Sequence, residues 1–231
     1  MKKRLKIFLC FFIILVISEL FILKTPDLSE YRIVSKPVIL LSLLLFYAFN
    51  SRHLKWEARI FTILALGLSL FGDVFLLFEE ENSGFFIAGL ISFLLAHICY
   101  IIVFSKDRHP KKFKYLFFLA IGAYSFMFFR LIYPGLQTML IPVLIYVMVI
   151  LGMLSTAFLR RVDPQMSYFL ILGGALLFLI SDSLLAYNKF YGNFNNANLW
   201  IMFTYAMAQV SIVIGLIYSR RISFIREIQE E

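Results

Sequence analysis

Charged side chains are scarce in this chain: Asp, Glu, Lys and Arg together make up 16% of its 231 residues, against 61% apolar residues that include 27 Phe. So small a polar share cannot cover a water-soluble globule of this length. That excludes the soluble class and, with a mean hydropathy of +0.87, points to lipid as the solvent. Histidine is nearly absent, and two of the three, His53 and His109, sit among basic loop residues. His97 alone within an apolar run is too little for a zinc hydrolase site, which takes three or four ligands, so no metal is expected. Cysteine is limited to Cys10 and Cys99, both inside apolar runs; they say nothing about redox compartment and are expected as small packing residues.

Other absences narrow the chemistry. There is no Gly-x-Ser-x-Gly elbow, no phosphate loop and no Gly-x-Gly-x-x-Gly turn, so neither serine nucleophile nor nucleotide has a signal, and no cofactor is expected. Gly89, Gly215 and the Gly173–Ala175 run fit close helix packing instead. No linker or low-complexity tract divides the chain. Its connections are about ten residues at most, so one membrane domain is expected over residues 1–231. The start, Met-Lys-Lys-Arg-Leu-Lys before an apolar stretch, has the look of a signal peptide, but no small-x-small cleavage site follows, and a retained helix is expected.

What the chain does have is eight apolar runs of membrane-spanning length: Leu5–Leu23, Val34–Phe49, Arg59–Phe78, Phe85–Phe104, Tyr115–Tyr133, Met139–Leu159, Tyr168–Ala186 and Leu199–Tyr218. None alternates strictly between apolar and polar, so a barrel is excluded and an all-α, polytopic helical bundle of eight transmembrane helices is expected. If the N-terminus faces the cytoplasm, all 22 Lys and Arg except Lys24, Arg32, Lys36, Arg130 and Lys189 fall on the inner side, among them Arg108, Lys111, Lys112, Arg161, Arg220, Arg221 and Arg226. That asymmetry predicts both termini in the cytoplasm of a multi-pass integral membrane protein. It also accounts for the formal net charge of +8, so nucleic acid is not expected as a partner, while contact with anionic headgroups is compatible.

Two aspartates lie inside these runs, Asp73 in the third and Asp182 in the seventh. A carboxyl in hydrocarbon costs a few kcal/mol, about 2.5–3.5 on insertion scales, and its side chain is too short to snorkel, so both are candidates for function. At about 1.5 Å per residue, the 14 steps from Arg59 to Asp73 and from Tyr168 to Asp182 put both carboxyls roughly 21 Å from the inner face. Tyr205 reaches about the same depth from the outer side, with Gln209 one turn deeper. Glu19, Lys36 and Arg130 lie near the outer helix ends, where snorkelling to the interface is the competing account. His97 falls below this layer with Tyr100 on the same face, in places as well suited to packing as to catalysis. Most of the aromatic residues are expected to face lipid or fill the core. Two carboxyls at one depth cannot both ionise cheaply if they are close, and such a pair supplies one acid and one base.

The chain resembles the YhhN-like lysoplasmalogenase family. The resemblance is carried by SKPVILLSLLL in the second run, LSLFGD in the third, the FxxGxxxFxxxHxxY pattern from Phe86 to Tyr100, GGALLFLISDSLLA in the seventh run and YAMAQ in the eighth. It implies hydrolysis of the vinyl-ether bond of lysoplasmalogens to a fatty aldehyde and glycerophosphoethanolamine or glycerophosphocholine, with the family aspartates at Asp73 and Asp182. The expected partners are then a lysophospholipid substrate, membrane lipids and water. A vinyl ether is cleaved by protonation at carbon, addition of water and collapse of a hemiacetal, which needs an acid, a stabilising anion and a base. Tyr205 and Gln209 are candidates to position water, Lys36 and Arg130 to hold the phosphate, and His97 and Tyr100 to support the site. A proton-coupled transporter of a small solute or lipid, with the aspartates as proton relay, is the alternative, and a noncatalytic lipid-binding scaffold a third reading. Transport is disfavoured by the lack of helices broken by Pro or Gly at symmetry-related positions; Pro37 and Pro142 lie near the starts of their runs.

Overall fold

The computed structural model describes residues 2–106, 114–160 and 165–219; His109 and the basic residues Arg108, Lys111, Lys112, Arg161, Arg220, Arg221 and Arg226, used above for orientation, lie outside them. The described chain is helical and contains no β-strand: α1 (Lys2–Lys24), α2 (Arg32–Asn50), α3 (Trp56–Leu77), α4 (Ser83–Ser105), α5 (Lys114–Leu136), α6 (Leu140–Leu159), α7 (Gln165–Phe190) and α8 (Ala197–Ser219). Each predicted run lies on one of these helices, with ends displaced by a few residues. Among the described residues seven helical segments are long and apolar enough to cross a membrane, and the difference from the eight expected spans lies at one place: Lys114–Leu159 is a single 46-residue apolar segment that holds both α5 and α6. These two are joined by the short 3-10 turn Gln137–Met139.

The breaks between helices have local causes. Pro26 opens a 3-10 turn over Pro26–Tyr31, and the residue before a proline is steered away from helical geometry, so α1 stops at Lys24. Pro134 and Gly135 occupy the last turn of α5, and Gln137 follows with a φ of 42°. Gly135 is required there by contact: a side-chain carbon in its place would run into the backbone carbonyl of Phe190 on α7. Asn196, with a φ of 60°, turns the chain into α8, a conformation Asn tolerates better than most residues.

The chain forms two compact units, residues 1–100 and 101–231, and their boundary falls inside α4. In the first unit α2 packs on α1 and on α3, with Ile39, Leu40, Leu43 and Tyr47 of α2 and Ala65 and Leu66 of α3 fully buried. Close approach of α3 and α4 depends on small residues, since a Cβ on Gly72 would sit 2.7 Å from the ring of Phe93. In the second unit α7 packs along α8, again over glycines: a Cβ on Gly174 would lie 2.9 Å from the Ala208 carbonyl oxygen, and one on Gly215 2.6 Å from Ile171 Cγ1. Ser167 Oγ donates to the Gly215 carbonyl at 2.6 Å across the same seam. A smaller cluster of Ile132, Leu136 and Val143 ties α5 to α6 and, through Ala186 and Phe190, to α7.

Large apolar residues face outward, among them Ile13, Ile14, Ile17 and Phe21 on α1 and Leu116, Leu119, Phe126 and Met127 on α5. Water would not tolerate such a surface, whereas lipid matches it.

Candidate functional site

In the first unit the candidate groups gather at the end of α3 and the start of α2. Asp73 lies four residues before the end of α3 and is 2% exposed. Lys36, four residues into α2, is also buried, and its Nζ lies 3.4 Å from Asp73 Oδ1 while donating to the Asp73 carbonyl oxygen at 3.3 Å. The ammonium therefore grips both the side chain and the backbone of the aspartate. An ion pair removed from water holds only if its geometry and remaining hydrogen bonds are good, and the backbone bond supplies one of these.

The turn of α2 that carries Lys36 is anchored in its turn. Glu19 of α1 is completely buried; its Oε1 accepts from Arg32 Nε at 3.2 Å and its Oε2 from the Ser35 hydroxyl. Two acids and two bases thus run from α1 through α2 to α3 with their charges balanced. Glu19 and Lys36, for which snorkelling was the competing account, both point inward. On α4, His97 and Tyr100 are fully buried, one turn apart.

In the second unit Asp182 is held by a different chemistry. The Tyr146 hydroxyl of α6 donates to Asp182 Oδ2 at 2.6 Å. The serines on either side pin the same turn of α7: Ser181 Oγ donates to the Ile201 carbonyl of α8 at 3.0 Å, and Ser183 Oγ accepts from the Tyr124 hydroxyl of α5 at 2.8 Å. Every other helix of α5 to α8 therefore contributes a bond to the Ser-Asp-Ser turn. Tyr205 is buried on α8 with its ring edge-on to Phe178 at 5.6 Å, one turn of α7 before Asp182, and Gln209 is fully buried a turn further along α8. Arg130 is exposed on α5 and forms no ion pair with a described residue.

Tyr146 escaped the sequence reading. Its signal was the depth arithmetic that selected Tyr205: it lies about six residues below the start of α6, as Tyr205 lies below the start of its own run, and a phenol at that depth needs a partner. Among the described residues no group of three His, Cys, Asp or Glu side chains is placed to hold a metal ion.

Apolar helices of spanning length, lipid-compatible outer faces and inward carboxylates bound by partners on other helices define an integral, multi-pass membrane protein. The chain belongs to the YhhN family, whose model matches residues 31–216. It is 30% identical over 167 residues to the human lysoplasmalogenase TMEM86A, covering 70% of this chain and 66% of that protein. It is 27% identical over 175 residues to a lysoplasmalogenase of Mycobacterium tuberculosis (strain CDC 1551 / Oshkosh), covering 74% and 65%, and 29% identical over 155 residues to human lysoplasmalogenase TMEM86B, covering 67% and 62%. The matches thus span somewhat less than two thirds of the length of these curated relatives. No solved structure matches significantly. The family match begins after α1, so Glu19 belongs to a part of the chain outside it.

Proposed function

We propose that this protein is an intramembrane hydrolase that cleaves the vinyl-ether bond of lysoplasmalogens, lysoplasmenylethanolamine or lysoplasmenylcholine, to a fatty aldehyde and the glycerophospho-headgroup, using Asp73 and Asp182 as its acid–base pair. The observation that carries the assignment of roles is the Lys36–Asp73 ion pair. With an ammonium as counter-ion, Asp73 is the standing anion, suited to stabilise a cation on the substrate and to take a proton from water. Asp182 is then the carbon acid. Tyr146 donates to its Oδ2 and supports the carboxylate once the proton of the acid has gone.

The reaction runs in three steps. Asp182 protonates the β-carbon of the vinyl ether, giving an oxocarbenium ion, the cation that an anionic Asp73 is suited to stabilise. Water adds to the cationic carbon and yields its proton to Asp73. The hemiacetal then collapses: its hydroxyl proton leaves, the ether oxygen takes up a proton, and aldehyde and glycerol hydroxyl separate. Tyr205 and Gln209, enclosed on α8 near the turn of Asp182, are assigned to ordering water. Arg130, exposed on α5, is assigned to the substrate phosphate, whereas Lys36 serves Asp73. His97 and Tyr100 support the site from α4.

Eight crossings of one domain over residues 1–231, with both termini cytoplasmic, complete the proposal. The 46-residue segment Lys114–Leu159 would be about 69 Å long as one helix, more than twice the roughly 30 Å hydrocarbon core, and its break at Gln137–Met139 supports two crossings. Turnover in D2O tests the chemistry. Protonation at carbon places one deuterium on the carbon next to the aldehyde carbonyl; aldehyde formed without that deuterium would rule out the carbon-acid step.

A further inference from the structure

Ser69 lies four residues before Asp73 on α3, and residues four apart share a helix face. Its side chain is completely enclosed, at 0% exposure, and its Oγ has no hydrogen-bond partner among the described residues. Other hydroxyls on these helices behave differently. Thr62, two turns earlier on α3, donates to the Ala58 carbonyl at 2.7 Å. Ser125 donates to Ile121 at 2.7 Å, Ser183 to Leu179 at 2.6 Å, and Thr204 to Trp200 at 2.7 Å. A serine on an apolar helix ordinarily satisfies itself by folding back onto its own turn in this way. An enclosed hydroxyl that does not do so calls for a polar atom from elsewhere.

Two features of the surroundings limit what that atom is. Asp73 is already engaged by Lys36, which holds both its Oδ1 and its carbonyl oxygen. The Ser69 hydroxyl therefore lies one turn from a fixed anion, on the same face, with its own hydrogen-bonding capacity unspent. Gly72, between them in sequence, is packed against the Phe93 ring, so no side chain grows into the neighbourhood from that position. A small molecule that donates two hydrogen bonds would satisfy a carboxylate and a serine oxygen at once, and water is the smallest that does.

We propose that Ser69 and Asp73 together hold the hydrolytic water, which gives one hydrogen to the Asp73 carboxylate and the other to Ser69 Oγ, leaving a lone pair free for the substrate. The inference rests on the hydrolase reading above and names a catalytic residue within it. As the water oxygen bonds to the oxocarbenium carbon, the π electrons of that cation return to the ether oxygen and a water proton passes to Asp73, so a neutral hemiacetal results. Ser69 takes no proton; its part is to aim the water and to exclude other nucleophiles from its place.

The test uses full-length protein in detergent, with lysoplasmenylethanolamine as substrate and the saturated 1-O-alkyl analogue, which cannot be cleaved, as binding probe. Ser69→Ala and Ser69→Gly are made beside the wild type, and turnover is followed with and without methanol, which traps the oxocarbenium ion as a stable mixed acetal. Ser69→Ala is expected to lower kcat by at least about tenfold while analogue binding changes less than about twofold, and to raise the acetal share of the products. Ser69→Gly, which leaves room for a second water, is expected to recover part of kcat. Unchanged kcat in Ser69→Ala overturns the inference. So does a fall in kcat that tracks a lowered Tm, with the acetal share unmoved and no recovery in Ser69→Gly. Wild type that releases no aldehyde overturns the hydrolase reading and this inference with it; active wild type beside an equally active Ser69→Ala overturns this inference alone.

Discussion

Asp73 and Asp182 are both acids within lipid-spanning helices, but one is matched with an ammonium and the other with a phenol, and the two partners predict different failures. Lys36→Met strands Asp73 as a buried carboxylate, and breaking one side of such a pair costs about 3–5 kcal/mol. A marked fall in Tm is expected in detergent, largely restored in the Lys36→Met, Asp73→Asn double variant, which removes both charges. If the double variant is no more stable than the single, the ion pair is not what holds these helices. Tyr146→Phe keeps the ring and loses the bond to Asp182. A hydrogen bond to a charged group contributes about 1.5–3 kcal/mol, so aldehyde release should slow about 10- to 100-fold with Tm nearly unchanged. At this scale the acids were legible in the sequence because a carboxyl in an apolar run stands out. Their partners were not: Lys36 and Asp73 are brought together from separate helices, and no periodicity within either one announces the contact. Lys36 read as a phosphate ligand because only its depth was visible, and Tyr146 was lost among aromatic residues that mostly serve packing.

Single methylene groups decide the fit between helices. The α7–α8 seam has glycine on both sides, and a Cβ on Gly215 would stand 3.1 Å from the Ser167 carbonyl oxygen as well as 2.6 Å from Ile171. Gly215→Val is expected to push the helices apart and destabilise the protein by about 1–3 kcal/mol, visible as a lower Tm. Because Ser181 pins the Asp182 turn to α8, aldehyde release should fall as well, even though Gly215 is remote from the acid in sequence. Gly122 tests the other side of the argument: a Cβ there meets nothing within 4 Å, so Gly122→Ala should leave Tm unchanged or raise it slightly. Every helix was legible as a hydrophobic run, since lipid demands about 20 apolar residues per crossing and leaves little else to choose. The joins were harder to see. Pro26 and the Pro134-Gly135 pair are visible as breakers, but whether a break makes a wide loop or a three-residue turn depends on contacts such as Gly135 against Phe190, which a linear reading does not contain.

For the molecule as a whole, the positive-inside pattern and the length of Lys114–Leu159 make a topological prediction. A cysteine placed at Thr138, in a variant with Cys10 and Cys99 replaced, should react with an impermeant thiol reagent added outside intact cells, and one placed at Arg52 should react only after the membrane is opened. The opposite pattern would invert the orientation, and protection of both positions would remove the crossing between α5 and α6. The composition made membrane residence plain, but the division into units at Tyr100 falls within a continuous apolar helix, where sequence offers no mark. On the proposed reading, Asp73 and Asp182 are both required for the same hydrolysis. The most direct test of that requirement is fatty-aldehyde release from lysoplasmenylethanolamine by the purified protein, with Asp73→Asn and Asp182→Asn variants confirmed as folded by their Tm. The account predicts aldehyde from the wild type and a loss of at least about 100-fold in each variant. Wild type that releases none from either the ethanolamine or the choline substrate, or a folded Asp variant that retains full activity, would contradict it.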